Sequence, residues 1–112
     1  MYRFSMSEQM FIQGPVGQIE VFVDYPQGEV KGFAVVTHPH PLQGGTPQHK
    51  VPALLAQMFL ERSCIVYRPS FRGSGQSAGQ HDEGHGETID TLEVIHYARS
   101  QHADLPFYAG GF

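Results

Sequence analysis

Three short, uninterrupted apolar runs constrain the fold of this chain more than any other feature. They occupy residues 32–37, 64–67 and 105–109. A run of this length without polar alternation is typical of an interior strand that is covered on both faces. Pro106 fits the start of the third strand better than its middle, because proline cannot donate to a sheet ladder. The sequence therefore predicts three strands in the interior of a covered sheet.

A helix is predicted in each gap between these runs. In the first gap, apolar residues follow the i, i+3, i+4, i+7, i+8 spacing of one buried helix face. These residues are Val51, Leu54, Leu55, Met58 and Phe59. The second helix is predicted over residues 83–101, with a broad apolar side. That side consists of Leu92, Val94, Ile95 and Ala98.

The N-terminal part of the chain predicts an antiparallel hairpin. Residues 6–13 and 18–25 are the candidate strands, and Gly14-Pro15-Val16-Gly17 between them is typical of a turn. After the hairpin, strands and helices alternate with short connections, which indicates right-handed crossovers and parallel strands. The expected fold is α/β, with a mostly parallel sheet and an antiparallel hairpin at its N-terminal edge. In such sheets, chemistry collects at the C-terminal ends of the parallel strands.

Length and charge exclude several classes of function. The chain has 112 residues and a formal net charge of -4, without a run of Lys or Arg. We therefore expect one small domain, with neither nucleic acid nor an anionic membrane as a partner. Cys64 is the single cysteine, so no internal disulfide can form, which favours a reducing compartment and a cytoplasmic location. No apolar stretch approaches the length of a signal peptide core or a membrane span.

The loop after the first apolar run carries the first candidate site. It reads His-Pro-His-Pro-Leu-Gln-Gly-Gly-Thr over residues 38–46. Because proline has no N–H, the backbone donors near the strand end are those of His38, His40 and Leu42. A stiff loop that presents such donors suits an oxyanion hole. Packed, hydrogen-bonded histidines are an alternative that this segment alone favours, and metal ligation by His38 and His40 is a weaker one.

The loop after the second run contains two further motifs. Residues 73–78 match the G-x-G-x-x-A dinucleotide fingerprint, but the helix begins too late after them, so a structured turn without a cofactor is predicted.

Residues 81–87 hold the candidate metal ligands His81 and His85 among several acids. Capping and helix-dipole roles for Asp82, Glu83 and Glu87 explain the acids without a metal. His49, His96 and His102 are predicted to be surface or partly packed residues.

The third run leads into Gly-Gly-Phe at residues 110–112. In the nucleophile elbow G-x-S-x-G, a serine stands on a strained turn between a strand and a helix. Gly111 and Phe112 match its first two positions, and the following residue would be the serine.

Taken in order, these three segments resemble landmarks of the α/β-hydrolase superfamily, and more narrowly of small bacterial single-domain hydrolases related to dienelactone hydrolases. His38-Pro39 matches the His-Gly position of that superfamily, with Pro in place of Gly, and residues 72–77 match its R-G-x-G-x-S turn. The resemblance implies an eight-stranded sheet, a Ser-His-Asp triad and an ester or related acyl substrate. It assigns one oxyanion donor to the backbone N–H of His40, with Leu42 as the second choice.

The resemblance also implies that residues 1–112 are the N-terminal half of a single α/β-hydrolase domain, truncated before the nucleophile elbow. The triad serine, acid and histidine are then all missing from the chain, and none of its seven histidines is the triad base. We expect the 112-residue chain alone to be inactive, with an exposed last strand. One alternative is a non-catalytic half-domain that self-associates through that strand. The other is a metal-binding protein that uses His38, His40, His81 and His85.

Overall fold

The computed structural model describes residues 6–37, 50–73, 75–80, 82 and 85–110, apart from the side chains of residues 6, 50 and 51. Five strands and two helices are present in this part of the chain. In chain order they are β1 (Met6–Gly14), β2 (Gly17–Tyr25), β3 (Gly32–Val36), α1 (Lys50–Glu61), β4 (Cys64–Pro69), α2 (His85–Gln101) and β5 (Phe107–Gly110). The predicted order and type of the elements are confirmed.

The strands form one sheet in the order β1-β2-β4-β3-β5. β1 and β2 are the predicted antiparallel hairpin at one edge, and β2 also pairs antiparallel with β4. β3 pairs parallel with β4 on one side and with β5 on the other. The predicted α/β fold class is confirmed, and the structure adds that β4 lies between the hairpin and β3.

The strand alternation divides the core into two clusters, one on each face of the sheet. On the α2 face, Val94 and Ala98 of the helix pack with Val21, Phe33 and Tyr67 of the sheet. The α1 face has a smaller cluster, in which Ala56 of the helix packs with Ala34 and Val36 of β3 and Val66 of β4. Both faces of β3 are therefore covered, as its unbroken apolar run predicted.

The predicted buried face of α1 is partly wrong. Leu54 and Met58 are 43% and 44% exposed, whereas Ala53 and Ala56 are buried. Leu55 and Phe59 from the predicted face are partly buried against the smaller cluster. Small side chains at the contact let the helix backbone lie close to the sheet, and the apolar spacing alone does not reveal this.

The predicted apolar side of α2 also needs correction. Leu92 is 49% exposed, and the buried residues of this helix are Gly86, Glu87, Asp90, Val94 and Ala98. The first half of the helix thus buries acids instead of apolar side chains, because an arginine from the preceding turn pairs with Asp90. Residue 83, where the sequence placed the helix start, lies outside the described residues.

β5 is the outer strand of the described sheet, and it pairs only with β3 there. Its four residues are exposed or partly exposed, and Tyr108 is 46% exposed. The third apolar run, predicted as an interior strand covered on both faces, is therefore an edge strand of the described sheet. This position agrees with the exposed last strand that the half-domain resemblance implies. Neither of the two helices has the length and apolar character that crossing a membrane requires, as far as the chain is described.

Candidate functional site

The C-terminal ends of β3 and β5 lie side by side, and each directly precedes one of the sequence motifs. The backbone N–H of Thr37 donates to the carbonyl oxygen of Gly110 over 2.9 Å. The predicted oxyanion loop starts one residue after Thr37, and the predicted elbow continues one residue after Gly110. His40, Leu42, Gly111 and Phe112 themselves lie outside the described residues, so their roles stay predictions.

The turn that follows β4 is fastened to β2 by Glu20. Only 3% of this residue is exposed, and its carboxylate accepts hydrogen bonds from three groups. These are Ser70 Oγ at 2.7 Å, the backbone N–H of Gln76 at 3.1 Å and Gln9 Nε2 at 2.6 Å. A charged acceptor with three donors is well compensated for its burial, so the turn is held rigidly against the sheet.

Serine and backbone contacts complete this attachment. Ser77 Oγ accepts the backbone N–H of Glu20 at 2.9 Å and donates to the carbonyl oxygen of Ser70 at 2.7 Å. The N–H of Ala78 donates to the carbonyl oxygen of Gln18 at 2.8 Å. Because these donors bind the chain's own oxygens, they are not free to bind a phosphate. The contacts favour the predicted structured turn over the dinucleotide fingerprint.

A buried ion pair connects the same turn to α2. Arg72 Nε and Nη2 donate to the two carboxylate oxygens of Asp90 at 3.0 and 2.9 Å. These hydrogen bonds raise the pKa of Arg72 above its ordinary value. Gly86 lies beneath the guanidinium, and a Cβ at this position would overlap it. The absence of a side chain at Gly86 is therefore what lets the arginine cross the first turn of the helix.

Reciprocal hydrogen bonds cap the start of α2. Asp82 Oδ2 accepts the N–H of Gly86 at 3.0 Å, and Glu87 Oε2 accepts the N–H of Asp82 at 2.8 Å. The predicted capping roles of Asp82 and Glu87 are confirmed. Of the proposed metal ligands, His85 is exposed, whereas His38, His40 and His81 lie outside the described residues. The described residues contain no group of three or more His, Cys, Asp or Glu side chains that could hold a metal.

A second buried ion pair joins β2 to β4. Arg68 Nε and Nη2 donate to Asp24 at 2.6 and 3.0 Å, and Asp24 is fully buried. Ser7 of β1 adds a hydrogen bond to the same carboxylate. Sequence reasoning missed this pair and the Glu20 contacts. The available signal was the pair of acids, Glu20 and Asp24, which lie four positions apart and therefore on the same face of the strand. The other residues from Ile19 to Tyr25 are apolar or aromatic.

Over the described strands and helices, the chain resembles α/β serine hydrolases of known structure. A homologue of α/β serine hydrolases from Coxiella burnetii has a TM-score of 0.91 and 38% sequence identity, and the match covers 98% of this chain and 54% of that one. A lidless α/β serine hydrolase from Xanthomonas campestris has a TM-score of 0.89 and 34% identity over 96% of this chain and 51% of that one.

A curated relative is also similar. An uncharacterized protein from Rickettsia prowazekii is 35% identical over 82 residues, which are 73% of this chain and 34% of the relative. No family model matches the chain. The chain belongs to the α/β-hydrolase superfamily, and it spans about half the length of the solved hydrolases (54% and 51%). The narrower resemblance to dienelactone hydrolases stays a prediction.

Proposed function

We propose that these 112 residues are the first half of a serine hydrolase domain that cleaves an ester or a related acyl substrate. The observation that carries this proposal is the hydrogen bond between Thr37 N–H and the Gly110 carbonyl oxygen. Since β3 and β5 are adjacent and parallel, the loop from residue 38 and the turn from residue 111 begin side by side. An acyl-transfer site needs an oxyanion donor and a nucleophile that are close to each other.

The chemistry then divides between the two segments. A serine after Phe112 attacks the substrate carbonyl, and the backbone N–H of His40 donates to the oxyanion of the tetrahedral intermediate, with Leu42 as the second candidate. The base and the orienting acid of the triad belong to a further stretch of polypeptide, in the chain order that this superfamily uses. The length of the solved relatives, about twice that of this chain, supports this division.

The experiment that tests this proposal compares two polypeptides. We would sequence the coding DNA beyond the codon for Phe112, express the whole reading frame, and treat it and the 112-residue chain with a fluorophosphonate probe. We expect Ser-x-Gly to follow Phe112, stoichiometric labelling of that serine in the longer polypeptide, and no stoichiometric labelling of the 112-residue chain. Stoichiometric labelling of the short chain, or a different residue after Phe112, would refute the proposal.

A non-catalytic, self-associating half-domain is the second candidate. It is supported by the position of β5 as the outer strand of the described sheet, with unpaired backbone groups along one side.

The cytoplasmic location proposed from the single cysteine is consistent with the burial of the Cys64 thiol as a free cysteine.

A further inference from the structure

A pocket opens at the N-terminal ends of β3 and β4, the end of the sheet opposite Thr37 and Gly110. Its volume is about 220 Å³, and it is partly open to solvent. It is lined by Lys31, Phe59, Arg62, Cys64 and Tyr108. These residues come from α1, from β4 and β5, and from the segments that precede β3 and β4. We call it the Lys31–Arg62 pocket.

The walls of this pocket are aromatic and well defined. The rings of Phe59 and Tyr108 stack with their centroids 6.0 Å apart and their planes at 29°. Gly32 packs closely against two of the lining residues, because an added Cβ would lie 3.1 Å from the Tyr108 ring and 3.2 Å from Cys64 Sγ. The pocket therefore offers an apolar slot against which a flat hydrophobic group can pack.

Lys31 and Arg62 give the pocket its charge. Among the described residues, the two salt bridges are Arg68–Asp24 and Arg72–Asp90. Arg99 lies over the Phe33 ring at 4.8 Å and donates to carbonyl oxygens. Lys31 and Arg62 are thus the described cations that have neither a carboxylate nor an aromatic ring as a partner, and both line the same pocket.

Among the residues that the structure describes, the lining of the pocket contains neither Asp nor Glu to offset these cations. Burial raises the pKa of the Cys64 thiol, which keeps it neutral at neutral pH. A carboxylate that enters the pocket would meet two cations and a neutral thiol, while the body of the ligand would contact the two rings.

We propose that the Lys31–Arg62 pocket binds a small organic anion, namely a carboxylate attached to a flat aromatic or apolar body. The site is separate from the proposed hydrolase chemistry, because it lies at the opposite ends of the same strands. Failure of either proposal therefore leaves the other unaffected.

The test is a titration of the isotope-labelled chain with 2-naphthoate, with the neutral 2-naphthamide as the matched probe. We expect 2-naphthoate to shift the backbone amide signals of Lys31, Gly32, Arg62 and Tyr108, with a dissociation constant on the order of 0.1–1 mM. The amide should bind at least roughly fivefold more weakly, because it lacks the charge.

Variants test the role of the two cations. Lys31→Gln and Arg62→Gln should each weaken 2-naphthoate binding by roughly three- to fivefold, since both side chains are exposed and make no described ion pair. Gln80→Glu is the control: it lowers the net charge by the same one unit, but on an exposed residue after the β4 turn. It should leave the affinity unchanged.

Cys64 provides an independent measurement, because it is the single cysteine of the chain. Bound 2-naphthoate should slow its alkylation by iodoacetamide, and 2-naphthamide at the same concentration should not. The proposal is wrong if the amide binds as tightly as the acid, or if the double variant Lys31→Gln/Arg62→Gln retains full affinity. It is also wrong if a longer, active polypeptide no longer binds 2-naphthoate, because chain would then fill the pocket.

Discussion

At the scale of single residues, the chain buries several charged side chains and pairs them through hydrogen bonds. Glu20, Asp24, Arg68, Arg72 and Asp90 are all buried, and each has hydrogen-bonded partners. Removing one partner of such a group leaves the other uncompensated in a low-dielectric interior, which costs more than the intact contact contributes. Substitutions at Glu20, Arg72 and Asp90 therefore measure the attachment of the turn after β4 to the sheet and to α2. Substitutions at Asp24 and Arg68 measure the pairing of β2 with β4.

Gly75 is expected to be far less tolerant of a side chain than Gly28. Both have a positive φ, 54° and 81°, so alanine costs about 1–2 kcal/mol at either position. At Gly75 a Cβ would also overlap Glu20 Oε1, whereas nothing lies within 4 Å of a Cβ at Gly28. Urea unfolding should show Gly75→Ala to be less stable than Gly28→Ala by about 1–3 kcal/mol. Equal losses would mean that the position of the Glu20 carboxylate does not constrain the turn.

The Arg72–Asp90 pair should show a strong asymmetry between single and double substitution. Arg72→Met leaves the Asp90 carboxylate buried without its bidentate partner, which should cost about 3–5 kcal/mol of unfolding free energy. Arg72→Met/Asp90→Leu removes both charges and should recover most of that loss. Arg62→Met, on an exposed arginine, is the control and should change stability by less than about 0.5 kcal/mol. A double variant as unstable as the single one would show that the unpaired Asp90 carboxylate is not what destabilises Arg72→Met.

At the scale of elements, the end of α2 is packed against the sheet through His102. This residue directly follows the helix, and its Nε2 lies 2.7 Å from the Tyr67 hydroxyl of β4. Its ring also lies 5.4 Å from that of Phe33, and Arg99 covers the other side of Phe33. Burial raises the pKa of Tyr67 and lowers that of His102, so a protonated tyrosine hydroxyl and a neutral imidazole share this hydrogen bond.

The chain should lose stability at mildly acidic pH through His102. Its pKa is depressed in the folded state, so the unfolded chain binds the proton more readily. The contribution is fully present above the ordinary histidine value of about 6.5 and is lost as the pH falls through the lower folded value. Unfolding free energies measured from pH 7.5 down to 5 should therefore fall less steeply in His102→Gln than in the parent chain.

His96→Gln is the matched control for that series, because His96 is an exposed residue of α2, the helix that His102 follows. It should reproduce the pH dependence of the parent chain. If His96→Gln and His102→Gln flatten the curve equally, the contact with Tyr67 is not its source.

At the scale of the whole molecule, the described sheet has two outer strands, β1 of the hairpin at one edge and β5 at the other. The N–H of Phe33 donates to the carbonyl oxygen of Pro106, and that of Thr37 to Gly110. In a parallel ladder, the residues of β5 between these positions alternate in direction, so the N–H of Ala109 points away from β3. This outer side is a template for another strand, from a second copy or from further polypeptide.

Ala109→Pro should reduce self-association of the 112-residue chain. Proline removes an N–H that makes no bond to β3, and it blocks pairing along the outer side of β5. Sedimentation velocity over a range of concentrations should show a mass that rises with concentration for the parent chain and rises less for the variant. Ala103→Pro, on an exposed residue before the strand, is the control. A parent chain that stays monomeric throughout would exclude the self-associating candidate.

The sequence by itself determined the order and type of the elements and the N-terminal hairpin. These features depend on local periodicity and turn residues, which are readable within a few positions. The parallel arrangement predicted that the motifs follow the C-terminal ends of strands. The structure adds that β3 and β5 are neighbours there, with the N–H of Thr37 donating to the carbonyl oxygen of Gly110. The oxyanion donors His40 and Leu42 lie outside the described residues.

Only the tertiary structure decided which helix faces are buried and which charged side chains pair with each other. Ala53 and Ala56 replace Leu54 and Met58 at the α1 contact, because close approach to the sheet selects small side chains. Asp24 meets Arg68 across 44 residues of sequence, and Glu20 meets Gln76 across 56. Such pairs depend on strand order and register, which place distant residues side by side and leave no periodic trace in the chain.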